Sequence, residues 1–329
     1  MSDRRRLRAL AGYLVAGVGL LWVFHDVHVE PMLHSIRDLR WPWVALAIAV
    51  DILSYAAQGV RWRLLLTSVG NVRWLHATQA IYAGLFASEV LPMRPGEVLR
   101  AFLVSRRLHA HASAVFPSIL VERLFDGIWL ALGVGLAAAL MPLPTSLLRA
   151  GDVLGVAILI ATGLFVYEIL RTPGSVDPVN GSAEPRVVGR LEGFRQKFRE
   201  MGRTRETYLA FLVSLALLAG QTLSFWFVMV AYGLDVSIWV GAATLLIIHL
   251  GTAIPNAPGN VGTYQFFCVV ALTLFGIDKT LATGFSVVVF VVLTIPLWLI
   301  CSLALARSGA TLAGLRRQSD ALGSGWPNA

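Results

Sequence analysis

Long apolar runs alternate along this chain with short polar stretches and with runs cut by Pro and Gly, and the apolar segments fall into two length classes. Residues 41–66, 112–140, 151–170, 208–232 and 280–306 are long enough to cross a hydrocarbon core, which takes roughly 20 residues. Residues 9–24 follow Arg4, Arg5, Arg6 and Arg8 and look like a signal peptide, but no small-x-small cleavage site follows, so they are predicted to be a first membrane helix. The other class is too short to span. Residues 74–90 and 98–108 flank a break at Pro92–Gly96, and residues 238–253 and 264–275 flank a second at Pro255–Gly259. The expected fold is therefore all-α and membrane-embedded, with about six transmembrane helices and two re-entrant helical hairpins.

The two breaks are copies of one pattern. Leu91-Pro92-Met93-Arg94-Pro95-Gly96-Glu97-Val98 and Ile254-Pro255-Asn256-Ala257-Pro258-Gly259-Asn260-Val261 share aliphatic-Pro-x-x-Pro-Gly-x-Val at a displacement of 163 residues, about half of 329. The same displacement pairs Gln58 with Gln221. Two related halves are expected, 9–140 and 151–306, within a single membrane domain covering 1–329. Charge orients them. If every apolar piece crossed the membrane, the basic loop at 171–206 would lie outside, against the positive-inside rule. With the broken pieces re-entrant, residues 1–8, 61–73, 171–206 and 307–329 all fall on the cytoplasmic side, leaving Arg37, Arg40, Arg149 and Lys279 outside. The second half then repeats the first with every direction reversed, the inverted repeat associated with alternating access. Irregular backbone at membrane depth must be buried in protein or line a cavity, so the breaks predict a polar cavity between the halves. Both termini are expected in the cytoplasm and the membrane is expected to be the bacterial cytoplasmic (inner) membrane.

Composition narrows the class. The chain is 57% hydrophobic and 14% charged, far from a soluble globular protein. Its 27 Lys and Arg against 19 Asp and Glu mostly flank apolar runs, which points to topology and excludes nucleic acid as the expected partner. Cys268 and Cys301 lack metal or redox spacing and read as small hydrophobes. His25, His28 and His34, in the link at 25–40, match no standard metal site and read as solvated residues. No cofactor and no metal are expected.

The candidate chemistry sits at the breaks. Pro95 and Gly96 stand where a helix can begin, and a buried helix N-terminus beside Arg94 would make an anion receptor suited to phosphate. Glu97 and Arg100 are three apart and can pair, so mutual neutralisation at the surface is the competing reading. Glu122 and Asp126 share a helical face, Arg123 can reach Asp126, and the trio can either pair internally or dock with Arg94 or Arg100. Two carboxylates raise acid/base catalysis, but no nucleophile or metal site joins them, so the chain is not expected to be an enzyme. Asp51 and Gln58, seven apart, share one face of a span, where an acid is a functional candidate or packs against polar neighbours. Glu89, just before the first break, is either protonatable or interfacial. In the second break Asn256, Asn260, Thr263, Tyr264 and Gln265 offer hydrogen bonds without charge, and Pro258, Gly259 and Gly262 permit tight turns: a receptor for headgroup hydroxyls, or a hinge. The loop at 171–206 reads either as a solvated cytoplasmic loop or as carrying an amphipathic helix that rests Phe194 and Phe198 on headgroups.

Three motifs in order, Pro92-x-Arg94-x-Gly96-Glu97-x-x-Arg100, Glu122-Arg123-x-x-Asp126 and Pro255-x-x-Pro258-Gly259-x-x-Gly262, resemble the lysylphosphatidylglycerol synthase transmembrane-region family over nearly the whole chain. The resemblance implies a flippase-like protein that translocates a lipid with an anionic or sugar-bearing headgroup. Some relatives carry a fused soluble domain that makes the lipid. This chain ends soon after its last span, so that activity is expected to be absent. Relatives often have Gly where Asn260 stands and Glu where Gln265 stands. The alternative is a non-transporting membrane partner that anchors or assists a lipid- or envelope-modifying enzyme through 171–206, so the expected partners are a membrane lipid and a lipid-synthesising enzyme.

Overall fold

The computed structural model describes residues 14, 16–25, 27, 36–90, 96–110, 112–140, 145–170, 195–196, 198–252 and 258–307. Arg94, Asn256, most of the basic loop and the tail lie outside the described residues. Among those described there is no strand. The helices are α1 (Trp41–Leu66), α2 (Trp74–Val90), α3 (Gly96–Leu108), α4 (Ala112–Leu140), α5 (Thr145–Leu170), α6 (Arg205–Tyr232), α7 (Ile238–Thr252), α8 (Thr263–Leu274) and α9 (Lys279–Arg307). A helical stretch at 16–24 precedes α1. Most of their bounds fall within a few residues of the apolar runs, because a Pro, a Gly or a charge stands close to most run ends; α5 starts six residues before the run at 151–170. Pro42 occupies the first turn of α1, where its missing N–H costs nothing. Gly233, at φ 87°, closes α6 in the left-handed conformation, its N–H turning back to the Met229 and Val230 carbonyls.

Four helical segments are long and apolar enough to cross a membrane: Trp41–Leu66, Gly151–Glu168, Arg205–Tyr232 and Lys279–Arg307. α4 is 29 residues long but carries Glu122, Arg123 and Asp126 in its first half. α2, α3, α7 and α8 are short.

Element order and packing repeat. α6 and α7 begin 164 residues after α1 and α2 begin, and α8 and α9 begin 167 after α3 and α4. α1 lies along its counterpart α6 in the most extensive contact of the fold. Contacts of α2 with α9 and of α1 with α9 are mirrored by contacts of α7 with α4 and of α6 with α4. One core, formed around Phe225, Phe285, Met229, Ile248 and Leu272, joins α6, α7, α8 and α9; another, around Trp62, Leu66, Ile81, Val104 and Ile119, joins α1 to α4. Apolar side chains also point outward, most fully on α5, where Val153, Leu159 and Leu170 are more than 70% exposed. An outward face of this kind suits lipid contact.

Close backbone approach holds the first break together. A Cβ on Gly96 would lie 1.9 Å from the Gly84 carbonyl oxygen and 2.3 Å from Ser88 Oγ, so α2 and α3 meet where only glycine fits. Gly96→Ala is therefore expected to cost about 1–3 kcal/mol through overpacking. Thermal unfolding in detergent measures this, and a midpoint equal to wild type would mean that the contact is dispensable.

Candidate functional site

The site is a set of charged side chains carried by α1, α3 and α4, closed on one side by α6. Arg61, near the C-terminal end of α1, is 1% exposed. Arg61 lies within the basic 61–73 stretch and is buried inside the protein, its guanidinium pairing with Glu122 Oε1 through Nη2 and with Asp126 Oδ1 through Nη1. Nη1 also donates to Ser214 Oγ on α6 at 3.1 Å. Glu122 is fully buried at the centre. Its Oε1 also accepts from Gln58 Nε2 at 3.4 Å, and its Oε2 forms a 2.7 Å ion pair with Arg100 Nη2 that is not aligned as a hydrogen bond.

Arg100, 4% exposed, lies over the Trp62 ring at 5.0 Å, a cation–π contact that partly replaces lost water. Trp62 is itself fixed by its Nε1 donating to Ser118 Oγ at 3.0 Å. The Glu97–Arg100 pair that the i, i+3 spacing allows is not formed. Arg100 turns inward to Glu122, while Glu97 accepts from Arg123 Nε at 2.7 Å. Arg123 also reaches Asp126 Oδ2 at 3.5 Å, as the spacing on α4 allows. Of the two readings left open for the α4 trio, docking with Arg100 occurs through Glu122, alongside this internal pair.

Exposure separates these pairs energetically. Arg123 and Glu97 are about half-exposed (54% and 43%), and such pairs are worth about 0.2–1 kcal/mol. Arg61, Glu122 and Arg100 are buried, and removing one partner of a buried pair costs about 3–5 kcal/mol. Among the described members, Arg61, Arg100 and Arg123 balance Glu97, Glu122 and Asp126. Hydrogen-bonding capacity remains unused: Nε of Arg61, Nε and Nη2 of Arg100, and Gln58 Oε1 are buried without a hydrogen-bond partner. Unused donors on a buried guanidinium are unfavourable in a closed core and useful in a receptor for an anion.

The second break has a different character. Pro258–Asn260 form a single 3-10 turn, with Gly259 at φ 69°, Asn260 at φ 55° and Gly262 at φ 86°. The glycines therefore take left-handed positions that side chains rarely adopt, as their placement in the motif implied. At Gly262 a Cβ would also meet the Ala16 carbonyl oxygen at 2.4 Å. Gln265 is buried and its Oε1 accepts the Gly262 N–H at 2.7 Å, so it caps its own helix α8. Tyr264 packs edge-on against Phe290 of α9. Glu89 of α2 reaches this break from the first half: its Oε2 lies 3.6 Å from where a Gly259 Cβ would stand, with Trp298 beside it. The two breaks thus both approach α2, Gly96 at Gly84 and Gly259 at Glu89.

Two members of the site were not singled out in the sequence. Arg61 sits beside Arg63 and reads as a topology signal, and only the fold turns it inward. His249, on α7, interacts electrostatically with Asp126 across the α4–α7 contact. The available signal was its position as the one titratable residue in α7.

Comparison with known proteins agrees with this architecture. The chain is 26% identical over 310 residues to a protein named glycosyltransferase AglD from Haloferax volcanii, a match covering 82% of this chain. It spans about half of that relative (49%). It is 25% identical over 277 residues to a UPF0104 membrane protein from Methanothermobacter thermautotrophicus, covering 78% of this chain and 80% of the relative. The family described as the lysylphosphatidylglycerol synthase TM region matches residues 9–301, and the chain belongs to that family of membrane proteins.

Proposed function

We propose that this protein moves a lipid with an anionic or sugar-bearing headgroup between the leaflets of the cytoplasmic membrane, without covalent chemistry. The observation that carries the reading is Arg100. It is buried, positioned over Trp62 in the helix that follows the first break, and has a guanidinium Nε with no hydrogen-bond partner and an Nη2 held by an ion pair to Glu122 that is not aligned as a hydrogen bond. A phosphate or acidic sugar entering at Gly96 would take those donors and draw Arg100 away from Glu122, which keeps Arg61 and Gln58. The exchange conserves charge pairing, so the headgroup is accommodated without stranding a buried ion. Arg94, at the same break, would add a second cation.

The remaining topology follows the same logic. At 1.5 Å per residue, α2, α3, α7 and α8 reach only about 18–26 Å, short of the roughly 30 Å core. We assign them to two re-entrant hairpins, and the stretch at 16–24 with α1, α4, α5, α6 and α9 to six spans. The mirrored packing of α1 to α4 and α6 to α9 supports an inverted repeat, with both termini cytoplasmic. Cysteines at Arg106 and Ser237, both exposed, test it better than one at Ser105, which is buried. With Cys268 and Cys301 replaced, an impermeant reagent should label Arg106→Cys from the cytoplasmic face only and Ser237→Cys from outside only. Labelling at position 106 from outside would end the inverted repeat.

Function itself is tested with purified protein in liposomes containing a panel of fluorescent phospholipids and polyprenyl-linked lipids, read by an impermeant quencher. Faster transbilayer movement than in empty vesicles is expected for at least one lipid. Replacing Gln265, which caps α8, should slow this and not abolish it. No acceleration across the panel, with loss of cellular function on deleting 175–200, would favour the partner reading. That alternative has one observation behind it: this chain matches about half of a relative named as a glycosyltransferase.

A further inference from the structure

Asp51 lies in the middle of α1, 7% exposed, and makes no hydrogen bond or ion pair among the described residues. The charged network is no help to it. Arg61 is ten residues along the helix, about 15 Å away, and Arg40 is about as far in the other direction. α9 carries no charged side chain between Lys279 and Arg307, and α6 has no titratable one between Tyr208 and Tyr232. Among the described residues, the groups that interact with Asp51 electrostatically are weak acids: Tyr55 on its own helix, Tyr82 of α2 and Tyr264 of α8. Glu89 of α2 and Cys301 of α9 act on Tyr55 in the same region, and Tyr82 Oη donates to the Ile52 carbonyl at 3.3 Å. An ionised Asp51 would be a buried charge without an ion-pair partner among the described residues, which favours the neutral acid.

Asp51 is also connected. Asp51, Tyr55, Gln58 and Trp62 follow one another at four, three and four residues, so they form one face of α1. That face leads from the unpaired acid to Gln58, which donates to Glu122, and to Trp62, which lies under Arg100. Tyr264, just after the second break, interacts electrostatically with both Asp51 and Tyr55.

Resting on the lipid-moving function above, we propose that Asp51 is a proton-binding site and that one proton is taken up and released there for each lipid moved. Asp51 loses its O–H proton to water on one side of the membrane and regains one from the other. The acid is neutral while the polar face is closed and ionises only when the halves part to admit water. A metal ion is a poorer occupant, because it needs several converging oxygens, and among the described residues no group of three or more His, Cys, Asp and Glu is arranged to hold one. Glu122 plays a different part, since its charge is already matched by two arginines.

The test has two arms on the full chain. Infrared difference spectra of the purified protein in lipid nanodiscs at neutral pH should show a protonated-carboxyl band that Asp51→Asn removes and Asp51→Glu retains with a shift. A spectrum unchanged by Asp51→Asn overturns the proton site. In phosphatidylcholine vesicles with acyl-labelled fluorescent phosphatidylglycerol as probe and the potential clamped, a gradient of one pH unit should shift the inner-to-outer probe ratio by up to about tenfold. Asp51→Asn, which copies the neutral acid and should fold, is expected to show no shift. A response to a sodium gradient instead of a pH gradient overturns the proposal. If the probe moves with a ratio indifferent to pH, the coupling fails and the lipid-moving function stands. If neither this probe nor any lipid of the panel above moves, yet the band is lost in Asp51→Asn, the lipid-moving function and the coupling fail and the proton site alone stands.

Discussion

Glu122→Ala is expected to destabilise the protein by about 3–5 kcal/mol, the largest effect of any single substitution in the charged cluster. Glu122 is fully buried and is the carboxylate that both Arg61 and Arg100 face. Removing it leaves one excess positive charge: Arg100 loses its carboxylate partner and Arg61 keeps only Asp126. The measurement is the thermal unfolding midpoint in detergent, with the fraction of protein that remains monodisperse. A loss under 1 kcal/mol would mean that water or lipid already neutralises the arginines and that the network is open. Removing both charges of one pair distinguishes these cases further. Glu122→Gln combined with Arg100→Gln leaves Arg61 with Asp126, so the double variant should recover much of the stability lost in Glu122→Gln alone.

Arg100→Gln is expected to separate folding from function. Glu122 still has Arg61 and Gln58 after the change, so the cost in stability should be about 1.5–3 kcal/mol, that of one hydrogen-bonding partner of a charged group. Lipid movement in vesicles should fall at least about tenfold, because the lost side chain carries the donors assigned to the headgroup. Arg123→Gln is the matched control: its pairs are half-exposed, and its removal should change stability by less than about 1 kcal/mol. Normal lipid movement by a well-folded Arg100→Gln protein would show that Arg100 only holds α3 to α4.

Most helix positions were legible because the features that end a membrane helix are local. The runs at 74–90, 112–140 and 238–253 end at Pro, Gly or a polar turn, and the helices Trp74–Val90, Ala112–Leu140 and Ile238–Thr252 end within one residue of them. The two broken motifs were legible for the same reason: Gly96, Gly259 and Gly262 stand where a Cβ would collide or where the backbone takes positive φ. The candidate carboxylates on α4 were also found by spacing on a single helix.

Pairing across the fold was not legible. Glu97 and Arg100 are three apart and seemed natural partners, yet each pairs with a residue of α4 more than 20 positions away. The reason is desolvation. Arg100 faces inward over Trp62, and a buried guanidinium takes the carboxylate that is buried with it, whereas Glu97 stays at the rim with Arg123. Arg61 shows the same limit, since a basic residue near a helix end reads as a topology signal until the packing of α1 on α4 and α6 turns it inward.

By itself the sequence determined that this is an all-helical membrane protein with Pro/Gly-broken segments in both halves, because hydropathy, chain stiffness and turn chemistry act over a few residues, and its three ordered motifs carried the resemblance to the family that matches residues 9–301. Tertiary structure alone decided which charges share a buried site, that Gln265 caps its helix, and that Asp51 is buried without an ion-pair partner among the described residues, because burial and counter-charge depend on side chains brought together from distant helices.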